Sequence, residues 1–385
     1  MKSESIPVLK NAFRAYYFNH LRLIEEPEQI EKREFGYRPF ESGMVRHLSY
    51  RSKGDLVATL MRNVPSDLYC SNAMYKYPTY PIQTKEWLGA DLIFDIDGKD
   101  LHLPCEATHS YSICGRCGFV SNSKCELCEH CKSGSLDCVS LPCDKCIIAL
   151  KKEVKRLIDL LTGDLGVDEN SISVYFSGNN GFHIVATDES FRSLTSEARS
   201  DIVSYLTGTN FMAENIGIRK GKEKSTASDF LVKFPKSGLS YGWRRRVANK
   251  LRIDQTSTVK ISNIVQHAGG YNAFKSELAT LTKALGVNVD PQVTMDVHRI
   301  FRMPGSINSK SGLTKVKCNN LESCDPLNDA CLLASTEVSI RMKTLSSRLD
   351  FKLKGKMFRI KDNTLKLPLF AAVYLICKGL AEATV

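Results

Sequence analysis

No stretch of this 385-residue chain is apolar for long enough to span a bilayer; the longest, Leu367 to Cys377, contains one proline and reads as a packing helix. There is no G-x-x-x-x-G-K-S/T loop, which sets aside the P-loop ATPases. Internal repeats and low-complexity tracts are absent as well, which excludes solenoids and compositionally driven disorder. The basic and polar N-terminus lacks the apolar run of a secretory signal, so the many cysteines are expected as reduced thiolates rather than disulfides. What remains is an ordinary globular composition, 43% apolar and 25% charged, long enough for one large unit with an insertion or for two domains. The formal charge of +11 suits a polyanionic partner. It is patchy, with clusters at Arg244 to Arg246 and Arg219 to Lys224 and a scatter from Arg341 to Lys361. Such patches serve equally as solvated faces or as phosphate contacts, and the latter bind without reading sequence.

Three separated stretches carry chemistry. In Asp91-Leu-Ile-Phe-Asp95-Ile-Asp97-Gly98 a short apolar run ends in acids, and strand alternation puts Asp95 and Asp97 on one face. Two carboxylates so placed repel unless a cation lies between them, and oxygen ligands suit a hard ion such as Mg²⁺ or Mn²⁺. A lone Asp-x-Asp is also a common solvated strand end.

The second stretch is Ser177-Gly-Asn-Asn-Gly-Phe-His183. Ser171 to Phe176 and Phe182 to Thr187 both read as strands, and Asn180-Gly181 between them is a hairpin signal. Ser177 and His183 then flank a tight turn in which Gly178 and Gly181 allow close backbone approach, so hydroxyl, N–H and imidazole can all donate to a phosphate. An ordinary hairpin with a core histidine fits the same residues. In the third stretch Val293, Val297, Ile300 and Phe301 follow helical spacing, with Asp290 as N-cap and Pro291 in the first turn. Arg302 and Lys310 bracket the small, polar loop that follows, which suits a triphosphate or simply a basic surface.

Ten of the fourteen cysteines lie between residues 70 and 146, nine of them between 105 and 146. Cys114-x2-Cys117 and Cys128-x2-Cys131, ten residues apart, form a zinc-ribbon pattern. Cys143-x2-Cys146 opens a helix running through Ile147, Leu150, Val154, Leu157 and Leu161, from which a second site can be assembled. Cys125 and Cys138 are left over, and spacing alone leaves an iron–sulfur cluster open. Cys70, Cys318, Cys324, Cys331 and Cys377 read as ordinary buried thiols.

The order and spacing of these stretches resemble the catalytic small subunit of archaeal and eukaryotic DNA primases, the archaeal branch more closely. Arg33-Glu-Phe-Gly36, Met44-Val-Arg-His47 and Gly242-Trp-Arg-Arg-Arg246 add to the resemblance, which covers most of the chain. It implies an α/β fold: the α+β mixed-sheet catalytic core of the archaeo-eukaryotic primase type, related to the RNA-recognition fold, with an inserted zinc-binding module. It assigns Asp95, Asp97 and Asp290 to Mg²⁺ or Mn²⁺, and Ser177, His183, Arg302 and Lys310 to the nucleotide's phosphates, with Gly178 and Gly181 in the same turn. Cys105, His109, Cys143 and Cys146 become a Zn²⁺ site, and residues 113–142 an inserted knuckle whose Cys114, Cys117, Cys128 and Cys131 hold a second ion. An iron–sulfur cluster would belong to the large subunit. Residues 1–104 and 147–320 are expected as a discontinuous catalytic domain, 105–146 as the zinc-binding region, and 321–385 as a segment without an expected structure. Asn308 stands where archaeal relatives have His, and Asn179-Asn180 where Arg is frequent, so positive charge is missing from the phosphate pocket.

The implied activity is synthesis of short primers on single-stranded DNA from nucleoside triphosphates, by two-metal nucleotidyl transfer with release of pyrophosphate. A large subunit is the implied partner, with other replication proteins, in the cytoplasm beside the nucleoid and without a membrane. Two alternatives stand beside this: a polymerase of the same superfamily that extends existing 3′ ends in repair or translesion synthesis, and a non-catalytic zinc-ribbon nucleic-acid-binding protein. Bringing residues 95, 177 and 290 together is expected to require one sheet whose strands are not neighbours in sequence. Arg46 is a candidate for the initiating nucleotide.

Overall fold

The computed structural model describes residues 3–122, 126–209, 211–212, 242–250, 268–346 and 348–384. Cys125 and the basic stretch Arg219 to Lys224 lie outside the described residues, as does the side chain of Arg244. The fold is mixed α/β, and all the strand pairings within its sheets are antiparallel among the described residues.

Strands β1 (Arg33–Arg38), β2 (Val45–Leu48), β3 (Asp67–Tyr75) and β4 (Trp87–Ala90) begin the first sheet. Then come β5 (Leu92–Asp97), a cysteine-rich trio β6 (Ser110–Cys114), β7 (Val120–Ser121) and β8 (Leu136–Ser140), and the hairpin β9 (Ile172–Phe176) with β10 (Gly181–Ala186). Far along the chain, β11 (Ile300–Arg302) joins the first sheet beside β3, and β12 (Val316–Lys317) completes a second sheet of order β12-β9-β10-β5.

The expected single sheet is therefore two. Asp95, Asp97 and the Ser177–His183 turn share the second sheet, whereas Asp290 arrives on no strand at all. It precedes the short helix Pro291–Met295, which lies along the free edge of β5: the Asp290 N–H donates to the Asp95 carbonyl at 3.0 Å and the Thr294 hydroxyl to the Ile93 carbonyl at 2.8 Å. A polar cap on an edge strand does the joining that a further strand would have done.

The expected helix through Phe301 also stops early. Asp290 caps it, accepting from the Gln292 N–H, and Pro291 occupies its first turn. The Asp296 carboxylate then takes the His298 N–H at 3.0 Å, offering the backbone an alternative to the next helical turn, and Ile300–Arg302 pair with β3 instead. Local spacing lost to a long-range partner.

The expected hairpin forms in register, Phe182 opposite Phe176 and Ala186 opposite Ile172. Along β5 the side chains alternate: Leu92, Phe94 and Ile96 join the main core, while Ile93 packs with Val293 and Phe301 on the face that carries Asp95. The helix Asp144–Gly163 buries Ile147, Leu150, Val154, Leu157 and Leu161 and packs on β5 and β10.

The segment 321–385 contributes β13 (Glu337–Met342), the hairpin β14 (Leu349–Leu353) with β15 (Lys356–Ile360), β16 (Thr364–Pro368), the helix Leu369–Cys377 and β17 (Ala381–Ala383). That helix is apolar throughout and buried from Phe370 to Ile376 in the same core as the second sheet. It is a packing helix, as its composition implied, and among the described residues no helix is long and apolar enough to cross a membrane. Cys318 and Cys324 differ from expectation: they are joined as a disulfide across a six-residue separation, not present as separate thiols.

Candidate active site and cysteine metal groups

Asp95 lies directly opposite His183 in the β5–β10 pairing, and Asp97 opposite Gly181, so the first two motifs meet residue by residue. The third meets them through the Asp290 N–H. His183 Nε2 stands 3.7 Å from Asp95 Oδ1. Burial, then the charges of Asp97 and Asp290, push the Asp95 carboxyl up to about 7. Asp97 and Asp290 also serve the backbone, accepting from the N–H groups of Lys99 and Gln292. The three carboxylates are neighbours, but their oxygens are not all gathered within 4.8 Å of one another as the cysteine groups below are.

Burial, helped by the cations Lys315, Arg302 and Arg299, holds the His183 imidazole well below its ordinary pKa, so it faces the site neutral. Its Nδ1 is buried without a hydrogen-bond partner, and so is Oδ1 of Asn180 in the adjoining turn. Unpaired polar atoms at such a place are costly unless a ligand or water completes them.

The turn's glycines have distinct reasons. Gly178 sits at φ +83°, and a Cβ on Gly181 would come within 2.5 Å of the Ile96 carbonyl on β5. The loop after β11 folds over this turn. Asn308, in the place expected for His, donates to the Ser177 carbonyl at 3.3 Å, and the Ser311 hydroxyl donates to the Gly178 carbonyl. Lys310 is exposed beside them, its N–H held by the Asn308 side chain. Arg302 is largely buried: its guanidinium pairs with Asp67 at 2.6 Å and donates to the Ile307 carbonyl. Burial would raise the Asp67 carboxyl, but Arg302 and the Ser309 hydrogen bonds outweigh it and keep Asp67 below its ordinary range.

Motif reading missed four residues here. Lys315 is buried with its Nζ on the Arg302 carbonyl, Arg299 lends positive charge to Asp95, Asp67 anchors Arg302, and Lys378 reaches the turn from the C-terminal segment. Arg299 lies within the third stretch, whose pattern gives it no role, and the other three belong to no pattern of fixed spacing. The basic clusters are partly committed elsewhere, Arg246 to Asp164, Arg348 to Asp350 and Lys352 to Asp144. Arg46 is held by Glu34 at 3.0 Å.

Two further groups gather ligand atoms all within 4.8 Å: Cys105, His109, Cys143 and Cys146, and separately Cys114, Cys117, Cys128 and Cys131. Four thiolates, or three with an imidazole, are donor sets for tetrahedral Zn²⁺. In the first, His109 Nε2 faces Cys146 Sγ at 3.2 Å while Nδ1 meets the Ser140 hydroxyl at 3.3 Å, so the second nitrogen fixes the ring. Cys138 is exposed and belongs to neither group.

Fold and site thus define a mixed α/β protein with three acidic residues gathered at β5 and two cysteine-rich groups able to hold a metal. A family profile described as DNA primase small subunit matches residues 134–319. The chain is 42% identical to the DNA primase small subunit PriS of Nitrosopumilus maritimus over 99% of both chains, and 40% identical to that of Cenarchaeum symbiosum over 100% of both. Against the same subunit of Archaeoglobus fulgidus it is 30% identical over 96% of each. The chain belongs to the DNA primase small subunit family.

Proposed function

We propose that the chain is the catalytic subunit of a DNA primase. It joins nucleotides on a single-stranded DNA template by attack of a 3′-hydroxyl on the α-phosphate of a nucleoside triphosphate, with pyrophosphate leaving. One observation carries the site assignment: Asp95 lies opposite His183 across β5 and β10, Asp97 opposite Gly181, and the Asp290 N–H on the Asp95 carbonyl, and burial with this crowding raises the Asp95 carboxyl pKa. Acids so crowded fit a site whose charge is balanced by divalent cations. Asp95, Asp97 and Asp290 would hold Mg²⁺ or Mn²⁺, which when bound lowers the pKa of an attacking hydroxyl and stabilises charge on the leaving oxygens.

The chain's own residues bind and orient. The Ser177 hydroxyl and the backbone of Gly178 and Gly181 receive phosphate oxygens, and the neutral His183 donates one N–H. Lys310 and Arg302 add positive charge, the second from a fixed position because Asp67 holds it. The two cysteine groups hold structural Zn²⁺. A large subunit is the proposed partner and the cytoplasm the proposed place of action.

Labelled-nucleotide incorporation on unprimed single-stranded DNA with Mg²⁺ or Mn²⁺ tests this, comparing wild type with Asp95→Ala/Asp97→Ala and offering ribo- and deoxynucleotides separately. Primer-sized products that vanish in the double variant are expected. Activity only on primed templates, with and without a large subunit, would move the reading to an extending polymerase. DNA binding indifferent to nucleotide, Mg²⁺ and the double substitution, with no product at all, would leave only a binding module.

A further inference from the structure

Lys378 lies just past the helix Leu369–Cys377, about two hundred residues from the 177–181 turn in sequence, yet its side chain ends against it. The residue is only 7% exposed. Its Nζ donates to Asn179 Oδ1 at 2.7 Å and to the Ser140 carbonyl at 2.8 Å, and it stands 5.4 Å from the centre of the Tyr374 ring. Among the described residues no carboxylate approaches within ion-pair distance. A buried ammonium held by two neutral oxygens is uncompensated, and burial lowers its pKa to about 7, so near neutral pH it is partly protonated and the negative charge of an arriving triphosphate favours the charged form. It faces a turn whose side chains at 179 and 180 are neutral amides.

The turn is held at its other points by backbone or neutral groups. The Gly98 N–H donates to the Asn180 carbonyl at 2.8 Å, Asn308 to the Ser177 carbonyl and Ser311 to the Gly178 carbonyl. Lys378 alone among these contacts brings a charge. Its other anchor, Ser140, ends β8, and the hydroxyl of that same serine faces His109 of the first cysteine–histidine group.

We propose that Lys378 is a positioning residue for the 177–183 turn: through Asn179 it fixes the turn's conformation and supplies the positive field that a triphosphate meets there. The proposal rests on the reading of that turn as the nucleotide site. It also gives the C-terminal segment a part in substrate binding, where the motifs assign it none.

Steady-state incorporation on primed template, with the nucleoside triphosphate varied, tests the proposal. Lys378→Met is expected to raise the nucleotide KM about tenfold while kcat changes less than about threefold, since a charged hydrogen bond is lost from binding but no reacting atom is moved. Lys378→Arg should recover most of the affinity. Asn179→Ala should raise KM several-fold alone and add nothing in the Lys378→Met background, because both remove one interaction. Unchanged KM in folded Lys378→Met, or effects of the two substitutions that multiply, would overturn it. Should Lys378→Met not fold, Asn179→Ala decides alone, as it removes the acceptor and leaves the buried lysine in place; an unmoved KM then sinks the proposal. Wild type without incorporation would instead sink the primase reading beneath it.

Discussion

The backbone N–H of Asp290 donates to the carbonyl of Asp95 at 3.0 Å, while the Asp290 carboxylate caps the helix that this backbone begins. One residue therefore does a structural and a proposed catalytic job with different atoms, and substitutions can separate them. Asn caps a helix about as well as Asp. Asp290→Asn should keep stability within about 0.5 kcal/mol of wild type and lose at least about a hundredfold in incorporation rate, since a metal-binding charge is gone. Asp290→Ala should lose the same activity and about 1 kcal/mol besides. Denaturant unfolding with parallel incorporation assays checks both. Full activity in Asp290→Asn would leave Asp290 a cap and nothing more.

Asp95 makes stability depend on pH in an unusual direction. Its folded pKa of about 7 lies above that of an unfolded aspartate, so the folded protein binds the extra proton between roughly pH 4 and 7. This contribution is fully present below the unfolded pKa and lost as pH rises through 7. In buffer free of magnesium and manganese but with zinc retained, wild type should lose on the order of 2 kcal/mol from this group between pH 5 and 8. Asp95→Asn should flatten that slope, and added Mg²⁺ should stabilise wild type more at pH 8 than at pH 5, because the cation competes with the proton. Identical pH slopes for wild type and Asp95→Asn would refute the crowded-acid account.

How much of this was legible follows the range of the interactions. The β9–β10 hairpin, the alternation that faces Asp95 and Asp97 together and the apolar stripe of Asp144–Gly163 are local periodicities, and all are present in the structure. The two cysteine groups assemble along the ligand sets that spacing and resemblance pointed to. What failed locally was decided at a distance. Ile300–Arg302 has helical spacing behind it but an edge of β3 beside it. Asp290 reaches Asp95 through a helix cap, for which no strand pattern exists. Asp67 and Lys378 act through partners more than 190 residues away, Arg302 and Asn179, so nothing near them in sequence marks them.

Arg302 and Asp67 form a buried pair, and removing one member leaves the other charge without compensation. Arg302→Met should destabilise by about 3–5 kcal/mol, more than the loss of a surface phosphate contact would. Asp67→Asn in the same background should return part of that, since no buried charge is then left alone. The Asp67 contribution itself is present above the pKa of an unfolded aspartate and lost as pH falls below it, the reverse of Asp95. A double-mutant cycle by urea unfolding near neutral pH measures the coupling. Additive losses would mean that the pair, though close, contributes nothing jointly.

The two cysteine groups should differ in what they hold. Cys143 and Cys146 stand at the start of the helix that packs on β5 and β10, so the first group fixes one end of the support beneath Asp95 and His183. The second group ties Cys114, at the end of β6, to Cys117, Cys128 and Cys131 beyond it and includes no residue of that helix. Elemental analysis of wild type should give two zinc ions per chain, and Cys128→Ser and Cys143→Ser should each give one. Because structural zinc contributes its binding energy to folding, Cys143→Ser should lower the melting temperature by at least about 5 °C, a shift worth roughly 4 kcal/mol for a chain of this length. It should also raise the nucleotide KM, since His109, Ser140 and Lys378 link that group to the 177–181 turn. Cys128→Ser should leave KM within about threefold of wild type, a factor of only about 0.7 kcal/mol. If Cys128→Ser moved KM as far as Cys143→Ser, the ribbon itself would have to reach the nucleotide or the template, and the link through Lys378 would no longer be needed to explain the first group.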